Sequence, residues 1–239
     1  MLRTLTLSLL GLLATSTLHA QDVRLGVKAG LNASAYQGDD VPSSRLRLGP
    51  AAGILVRLPL GTHLDLQPEL LYEQRVVRTE QTIDGPYGYY SHSVRRHEQT
   101  KSRLQYLALP VLARLHWGKF FAVGGPQLSY LVGARQQVKT EIEDIFINDP
   151  LYDPLPFSPS TSTVQRRGTD AYHRWELGYV IGFGYQATAR LGVELRYAAG
   201  LTQVGRQLVY ATVYLAPVQS ALTRNSTLQA QVSYQLGKL

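Results

Sequence analysis

Histidine, serine and carboxylate side chains are the groups in this sequence that could carry out nucleophilic catalysis. The chain has six histidines and no cysteine. His92 and Ser93, followed by Glu98, have the residue types of a relay in which a histidine accepts the proton of an attacking hydroxyl group. Acyl chemistry on membrane lipids would need such a relay at the membrane surface. A match of three residues in a long connecting segment arises more often by chance than by function, so we predict no catalytic residues.

Acidic and glycine-rich stretches are the candidates for metal and phosphate binding. Glu141, Glu143, Asp144 and Asp149 could bind a divalent cation through carboxylate oxygens, but a solvated acidic loop is the favoured interpretation. Gly182-Phe183-Gly184 is not followed by the helix that a phosphate-binding glycine loop requires. The absence of cysteine excludes a disulfide framework and a thiolate metal site. We therefore predict neither a metal nor a cofactor.

A different set of charged residues lies on the polar side of segments in which polar and apolar residues alternate. In residues 23–35 every second residue is apolar, and the residues between them include Arg24, Lys28 and Asn32. A strand with this pattern has one apolar and one polar face. Globular strands usually have about 5–6 residues, whereas a tilted strand needs about 9–11 to cross a bilayer. The pattern therefore predicts a strand that spans a membrane.

Eight segments have this character, and the connections between them alternate in length. The predicted strands are residues 23–35, 45–58, 62–75, 103–117, 119–134, 172–186, 191–201 and 225–236. The short connections are residues 59–61, 118–119 and 187–189, and the long ones are residues 36–44, 76–102, 135–171 and 203–224. Bacterial barrels with both termini in the periplasm have this order of short turns and long extracellular loops. The sequence thus predicts an all-β, eight-stranded antiparallel up-and-down transmembrane barrel, with turn-forming runs at residues 84–90 and 148–159 in its extracellular loops.

The polar faces of these strands predict a lumen filled by charged side chains. An eight-stranded barrel is just wide enough for side chains to fill it, so we do not expect an open diffusion pore. Charges of both signs in a narrow lumen should pair, because an unpaired buried charge is costly. The predicted network is Lys28, Arg57, Glu69, Glu73, Arg114, Glu176, Glu194 and Arg196, with Arg47 and Asp65 on the same faces. The predicted interfacial aromatics are Trp117, Phe120, Tyr185 and Tyr234 at the periplasmic side, and Tyr72, Tyr130 and Tyr197 at the other side.

The first twenty residues have the order of a secretory signal peptide. Arg3 precedes an apolar stretch at residues 5–13, and small and polar residues lead to Ala20. The apolar stretch is shorter than the roughly 20 residues of a membrane-spanning helix. We therefore expect a cleaved signal peptide at residues 1–20 and a barrel domain at residues 21–239.

The net charge of +7 raises the question of a polyanionic partner. The cations are spread over strands and loops and form no cluster on one helix, which disfavours nucleic acid. Arginines in extracellular loops could instead contact the phosphates of lipopolysaccharide.

Four motifs lie within the predicted strands: Tyr106-Leu107-Ala108-Leu109-Pro110, Gly125-Pro126-Gln127, residues 178–184, and Leu195-Arg196-Tyr197 with Gly200-Leu201. Together they resemble the PorT-like outer-membrane β-barrel family of the Bacteroidetes. The resemblance covers essentially the whole mature chain. It departs from the family at Ala108, where an acidic residue is common, and at the C-terminus, where an aromatic residue is common. The resemblance implies a barrel in the outer membrane of a Gram-negative cell, and the family name implies a link to protein secretion in its founding member.

These observations favour a non-enzymatic outer-membrane barrel whose extracellular loops have a binding, structural or secretion-accessory role. Expected partners are outer-membrane lipids or lipopolysaccharide and the barrel-insertion machinery, with an unknown extracellular or secretion-system partner, and the expected state is a monomer. Two alternatives remain open. One is an outer-membrane lipid-modifying hydrolase or acyltransferase, and the other is a soluble lipocalin-like carrier.

Overall fold

The computed structural model describes residues 23–37, 44–87, 92–144, 160–205 and 224–238, and the predicted signal peptide lies outside them. The described residues form strands throughout most of their length. The strands are β1 (Arg24–Gln37), β2 (Ser44–Pro59), β3 (Leu64–Tyr87), β4 (His92–Trp117), β5 (Phe120–Asp144), β6 (Ser160–Arg167), β7 (Trp175–Gln186), β8 (Leu191–Gly200) and β9 (Arg224–Lys238). This part of the chain contains no helix that is long and apolar enough to cross a membrane.

Eight of the nine strands close into a ring. In the ring, β1, β2, β3, β4 and β5 pair antiparallel in sequence order, and β5 then pairs with β7. β7 pairs with β8, β8 with β9, and β9 with β1, which closes the ring. The short strand β6 lies outside the ring and pairs with the extracellular part of β5. Closure satisfies the backbone hydrogen bonds of every strand that meets hydrocarbon, where an unpaired group costs several kcal/mol. The predicted eight-stranded barrel is confirmed, with β6 as an addition.

The two faces of the sheet are divided as the alternation predicts. Val193 and Leu195 on the outer wall are 41% and 48% exposed, whereas Glu194 and Arg196 between them are 6% and 1% exposed. The same division holds in β1, where Lys28 is buried and Leu31 is exposed. A soluble carrier needs the opposite arrangement, with polar residues outside, so the lipocalin-like alternative is wrong.

Aromatic side chains mark the two ends of the apolar wall. At the end with the short turns, Phe120 lies 5.2 Å from Tyr185 between ring centroids. At the other end, Tyr130 lies 4.7 Å from Trp175. Such belts lie at the two membrane interfaces of a barrel, and they fix the height of every other residue relative to the bilayer.

Three strands continue far beyond the predicted boundaries. β3, β4 and β5 have 24, 26 and 25 residues, whereas β8 has 10. The β3–β4 ladder extends to the pair Tyr87 and His92, so residues 84–87 of the predicted turn-forming run belong to the strand, whereas residues 88–90 lie outside the described residues. Cross-strand pairing overrides the local turn preference of Gly85 and Pro86, and the predicted loop at residues 76–102 is a long hairpin. The predicted run at residues 148–159 lies outside the described residues.

The predicted sixth strand starts later than its sequence indicates. Tyr172 forms only an isolated bridge to Gly205, and regular pairing of β7 begins at Trp175. Tyr172 is buried because it packs over the extracellular end of the barrel.

The tight turn between β4 and β5 depends on one glycine. Trp117 pairs with Phe120 across the two residues Gly118 and Lys119. Gly118 has φ of 61°, which matches the positive φ at the first central position of a type II′ hairpin turn.

Candidate functional site

The lumen holds the densest group of charged side chains in the described part of the chain. Ten charged residues are buried there, five of them cations and five carboxylates. They are Lys28, Arg57, Asp65, Glu69, Glu73, Arg75, Arg114, Glu176, Glu194 and Arg196. Burial of this many charges is tolerated because the two signs balance and each cation faces a carboxylate or an amide.

The central part of the network joins opposite walls of the barrel. Lys28 Nζ lies 2.8 Å from Glu69 Oε1 and 3.1 Å from Glu194 Oε1. Arg196 donates to both carboxylate oxygens of Glu69, at 2.8 and 2.5 Å, and also contacts Glu194. Glu69 is in β3 and Arg196 is in β8, four strands apart on either path around the ring. This bidentate pair therefore spans the full diameter of the lumen.

A second cluster lies closer to the extracellular side. Arg75 donates to Glu176 at 2.6 Å and to Glu73 at 3.0 Å, and its guanidinium stacks 4.5 Å from the ring centroid of Tyr106. Asn225 donates to Glu176 at 2.5 Å and to the Tyr106 hydroxyl at 3.4 Å. Since these residues come from β3, β4, β7 and β9, the cluster ties four strands together.

The periplasmic end of the lumen carries an excess of positive charge. Arg57 and Arg114 each lie 4.0 Å from Asp65. Arg114 also donates to Gln186 at 2.9 Å, and its guanidinium lies 3.4 Å above the ring of Phe121. Asp65 is thus the shared counter-charge of both arginines. The amide of Gln186 and the ring of Phe121 provide further contacts to Arg114.

An apolar cluster covers the extracellular end of the lumen. Tyr172 and Val204, which lie beyond the ends of β7 and β8, pack with side chains of β4 and β5. The buried members are Leu104, Tyr106, Leu131, Ala134, Tyr172 and Val204. The charged lumen is therefore separated from the extracellular side by packed side chains.

All eight residues of the predicted network lie in the lumen, divided among these three groups. The central group contains Lys28, Glu69, Glu194 and Arg196, the extracellular group contains Glu73 and Glu176, and the periplasmic group contains Arg57 and Arg114. Asp65 is buried with the last group. Arg47 pairs with the buried Ser34 of β1, but it is exposed at the extracellular end of β2 and is not among the buried charges.

Arg75, the central cation of the extracellular group, is absent from the network that the sequence predicts. Arg75 follows Glu73 by two residues and therefore lies on the same face of β3. The signal was present in the alternation, but the predicted strand ended at residue 75 and its last residue was not assigned to a face.

The candidate relay does not come together. His92, Ser93 and Glu98 belong to one extended strand, and at about 3.3 Å per residue the Cα atoms of Ser93 and Glu98 are roughly 17 Å apart. His97, the neighbour of Glu98, hydrogen-bonds to Thr82 of β3 at 2.9 Å. The described residues thus assemble no such triad.

Two acidic residues of the extracellular sheet, Glu141 and Asp84, form ion pairs with cations. Glu141 contacts Lys139, and a hydrogen bond from Lys139 lowers the pKa of Glu141 below its ordinary value. Asp84 accepts two hydrogen bonds from Arg95, at 3.0 and 3.1 Å, and these lower the pKa of Asp84. Asp149 lies outside the described residues, and within them no three histidine or acidic residues are placed to hold a metal ion.

Comparison with known proteins identifies the family. Residues 19–205 match the family described as outer membrane protein beta-barrel domain. The chain belongs to this family. With the closed barrel and its apolar outer wall, this membership places the protein in the outer membrane. No curated protein matches the chain.

Solved barrels of the outer membrane are similar to the chain at low sequence identity. Neisserial surface protein A is 14% identical, with 89% of this chain and 97% of that chain covered and a TM-score of 0.39. Ail, the attachment invasion locus protein of Yersinia pestis, is 9% identical, with 90% and 99% covered and a TM-score of 0.39. The translocator domain of the autotransporter NalP from Neisseria meningitidis is 10% identical, with 97% and 93% covered and a TM-score of 0.27.

Proposed function

We propose that this outer-membrane barrel is a non-enzymatic binding protein, in which a closed transmembrane domain presents a rigid β-sheet outside the cell. The observation that carries the proposal is the state of the lumen. Its charges contact one another across the full diameter, as between Arg196 and Glu69, and an apolar cluster lies over its extracellular end. A lumen filled in this way favours an anchoring role over diffusion of solutes.

The extracellular sheet supplies the surface that the proposal requires. β3, β4 and β5 each exceed β8 by more than a dozen residues, and a dozen strand residues extend about 40 Å along the strand. Asp84 and Arg95 form a bidentate ion pair near the end of the β3–β4 hairpin. β6 adds a fourth strand to the sheet at residues 135–142 of β5.

The proposal also includes a route by which the chain reaches the outer membrane and is assembled there. A signal peptide at residues 1–20 would direct the chain to the envelope, and the barrel-insertion machinery would assemble it as a monomer. The motifs around residues 106–110 and 195–201 support the narrower assignment to the PorT-like branch of the family. In that case the extracellular sheet would contact a component of a secretion system.

The test compares the intact protein with a variant in which residues 80–99 are replaced by a two-residue hairpin turn. We expect this variant to keep the barrel, seen as heat-modifiable migration on a gel, and to behave in cells like a deletion of the gene. A variant with a changed periplasmic turn at residues 187–189 is the matched control and should behave like wild type. Full function of the shortened protein would overturn the proposal.

Two further measurements test whether the protein is instead a diffusion channel or a lipid-modifying enzyme. Planar-bilayer recordings of the purified barrel should show no stable open channel, and a steady conductance would contradict the closed lumen. Mass spectrometry of lipid A and phospholipids should show the same profile with and without the gene, and a changed acyl pattern restored by the wild-type gene would favour the lipid-modifying enzyme.

A further inference from the structure

Three arginines lie side by side across three neighbouring strands of the extracellular sheet. Arg103 of β4 pairs with Arg135 of β5, and Arg135 pairs with Arg167 of β6. All three are exposed. Directly opposed residues of an antiparallel pair have Cβ atoms about 4.5–5.5 Å apart, and like charges at this distance destabilise the sheet. The arrangement therefore lacks an explanation in the stability of the sheet itself.

Further cations and amides surround this row. Together they line a cleft of about 180 Å³, which we call the basic cleft. Its lining residues are Lys101, Arg103, Arg135, Gln136, Gln137, Gln165, Arg166 and Arg167. None of its five cations lies within 4 Å of a carboxylate among the described residues, which distinguishes them from Arg78, Arg95 and Lys139 of the same sheet.

A β-bulge places the middle arginine of the row. On the bilayer side of the bulge, the odd-numbered residues Ser129 and Leu131 of β5 are buried. The register shifts by one residue opposite Gln105 and Tyr106, and beyond this point Ala134 is buried and Arg135 is exposed. Bulges often re-aim a side chain in this way. If the alternation of the bilayer-side part of β5 continued without a bulge, Arg135 would be an inward-facing odd-numbered residue and the row would be broken.

The row lies just above the extracellular aromatic belt, on the side away from the hydrocarbon core. Leu107 pairs with Tyr130 of the extracellular aromatic belt, and Arg103 lies four residues beyond Leu107 on the same strand. With a rise of about 3.3 Å per residue and a strand tilt of about 40°, Arg103 is roughly 10 Å above the belt. Aromatic belts lie at the headgroup level, so the row faces outward into the region just above it.

We propose that the basic cleft binds the phosphorylated saccharide headgroup of an outer-leaflet glycolipid. Guanidinium groups bind phosphate oxygens through paired N–H donors, and the amides of Gln137 and Gln165 can hydrogen-bond to sugar hydroxyls. A bound phosphate would also remove the repulsion along the row. The inference goes beyond the proposed function, because it concerns the wall of the sheet next to the membrane and does not require a binding partner at the hairpin ends.

The test uses the purified, refolded full-length barrel in detergent micelles. Bisphosphorylated lipid A, lipid A without phosphates and inorganic phosphate are titrated separately. We expect the first to bind at least tenfold more tightly than the second, with an affinity that falls as salt is added, and inorganic phosphate not to compete at equal concentration. Equal binding of the two lipids would overturn the inference, and full competition by inorganic phosphate would show an ion site instead of a lipid site.

The variant R103Q/R135Q/R167Q should lose this preference for phosphorylated lipid A by at least tenfold. Its matched control is K119Q/R190Q/R224Q, which removes the same charge from exposed positions elsewhere on the barrel and should keep wild-type binding. Heat-modifiable migration verifies that both variants are folded. Equal affinity of the two variants would overturn the inference, whereas the cellular test of the shortened hairpin decides the proposed function separately.

Discussion

The lumen and the outer wall of the extracellular sheet contain arginines in opposite surroundings. In the lumen, Arg75 and Arg196 each contact two carboxylates. On the wall, Arg103 and Arg135 have another arginine as their cross-strand neighbour. A buried charge must be paired because burial removes it from water, whereas water and salt screen the repulsion between exposed charges. The difference separates charges that hold the barrel together from charges that remain available to a ligand.

The largest effect is expected from removal of one carboxylate in the centre of the lumen. Glu69→Gln leaves Lys28 and Arg196 with Glu194 as their shared counter-charge. Loss of one partner from a buried ion pair costs about 3–5 kcal/mol. Equilibrium unfolding in guanidinium, followed by gel migration of unheated samples, measures this loss.

Glu143→Gln is the control, because Glu143 is an exposed carboxylate of the extracellular sheet. Exposed substitutions of this kind change stability by about 0.5 kcal/mol or less. Similar losses in both variants would mean that the lumen network contributes no more than a surface charge.

A smaller effect is expected where the lumen wall is crowded. A Cβ atom at Gly184 would lie 2.3 Å from Phe121 Cζ, and Phe121 supports the guanidinium of Arg114. Gly184→Ala should therefore destabilise the barrel by about 1–3 kcal/mol, as overpacking of a core does. Gly61→Ala is the control, since nothing lies within 4 Å of a Cβ atom there. If the two variants unfold at the same denaturant concentration, the lumen is less tightly packed than described.

On the outer wall, removal of charge should increase the stability of the sheet, whereas removal of charge in the lumen decreases it. R103Q/R135Q relieves repulsion between directly opposed cations and should stabilise the sheet by about 0.2–1 kcal/mol. Added salt should diminish the gain, because it already screens the repulsion in the wild type. Amide hydrogen exchange of β4 and β5 in low-salt and high-salt buffer reports the change, and a loss of protection in the variant would contradict it.

The smallest effect concerns the exposed ion pair at the end of the β3–β4 hairpin. Hydrogen bonds from Arg95 lower the pKa of Asp84, so the pair stabilises the folded hairpin above the ordinary carboxyl pKa. That contribution is lost as the pH falls through the lowered pKa of the folded state. An NMR titration of the Asp84 carboxyl should show the lowered pKa, and Arg95→Gln should return it toward the ordinary value. An unchanged titration curve in the variant would show that Arg95 is not the cause.

Alternation along the chain was sufficient to predict the barrel and the side of the sheet on which its charges lie. Lys28, Glu194 and Arg196 follow directly from a period of two residues, because a strand offers only two faces. The same period places Arg47 opposite the buried Ser34, but it does not show that Arg47 lies near the end of the strand, where its side chain is exposed. The pairing partner of each charge could not be predicted from the sequence either, because Glu69 and Arg196 come into contact only through the closure of the whole ring.

The extracellular sheet was harder to predict for a different reason. Gly85 and Pro86 favour a turn by their local preferences, yet they pair with Val94 and Ser93 of β4. The bulge that exposes Arg135 lies in β5 between its pairing with β7, which ends at Tyr130, and its pairing with β6, which begins at Arg135, and no residue type marks it in the sequence. Features that depend on one strand were thus readable from the sequence, and features that depend on the match between strands were not.

The cross-lumen contacts also constrain the order in which the barrel can be assembled. Glu69 in β3 and Arg196 in β8 are 127 residues apart in the chain, and they meet only when the last strands have arrived. Before that moment, an inserted hairpin would hold unpaired charges, for which hydrocarbon is a poor solvent. Partly built intermediates are therefore unfavourable in the bilayer, because full neutralisation of the interior requires that the ring be closed.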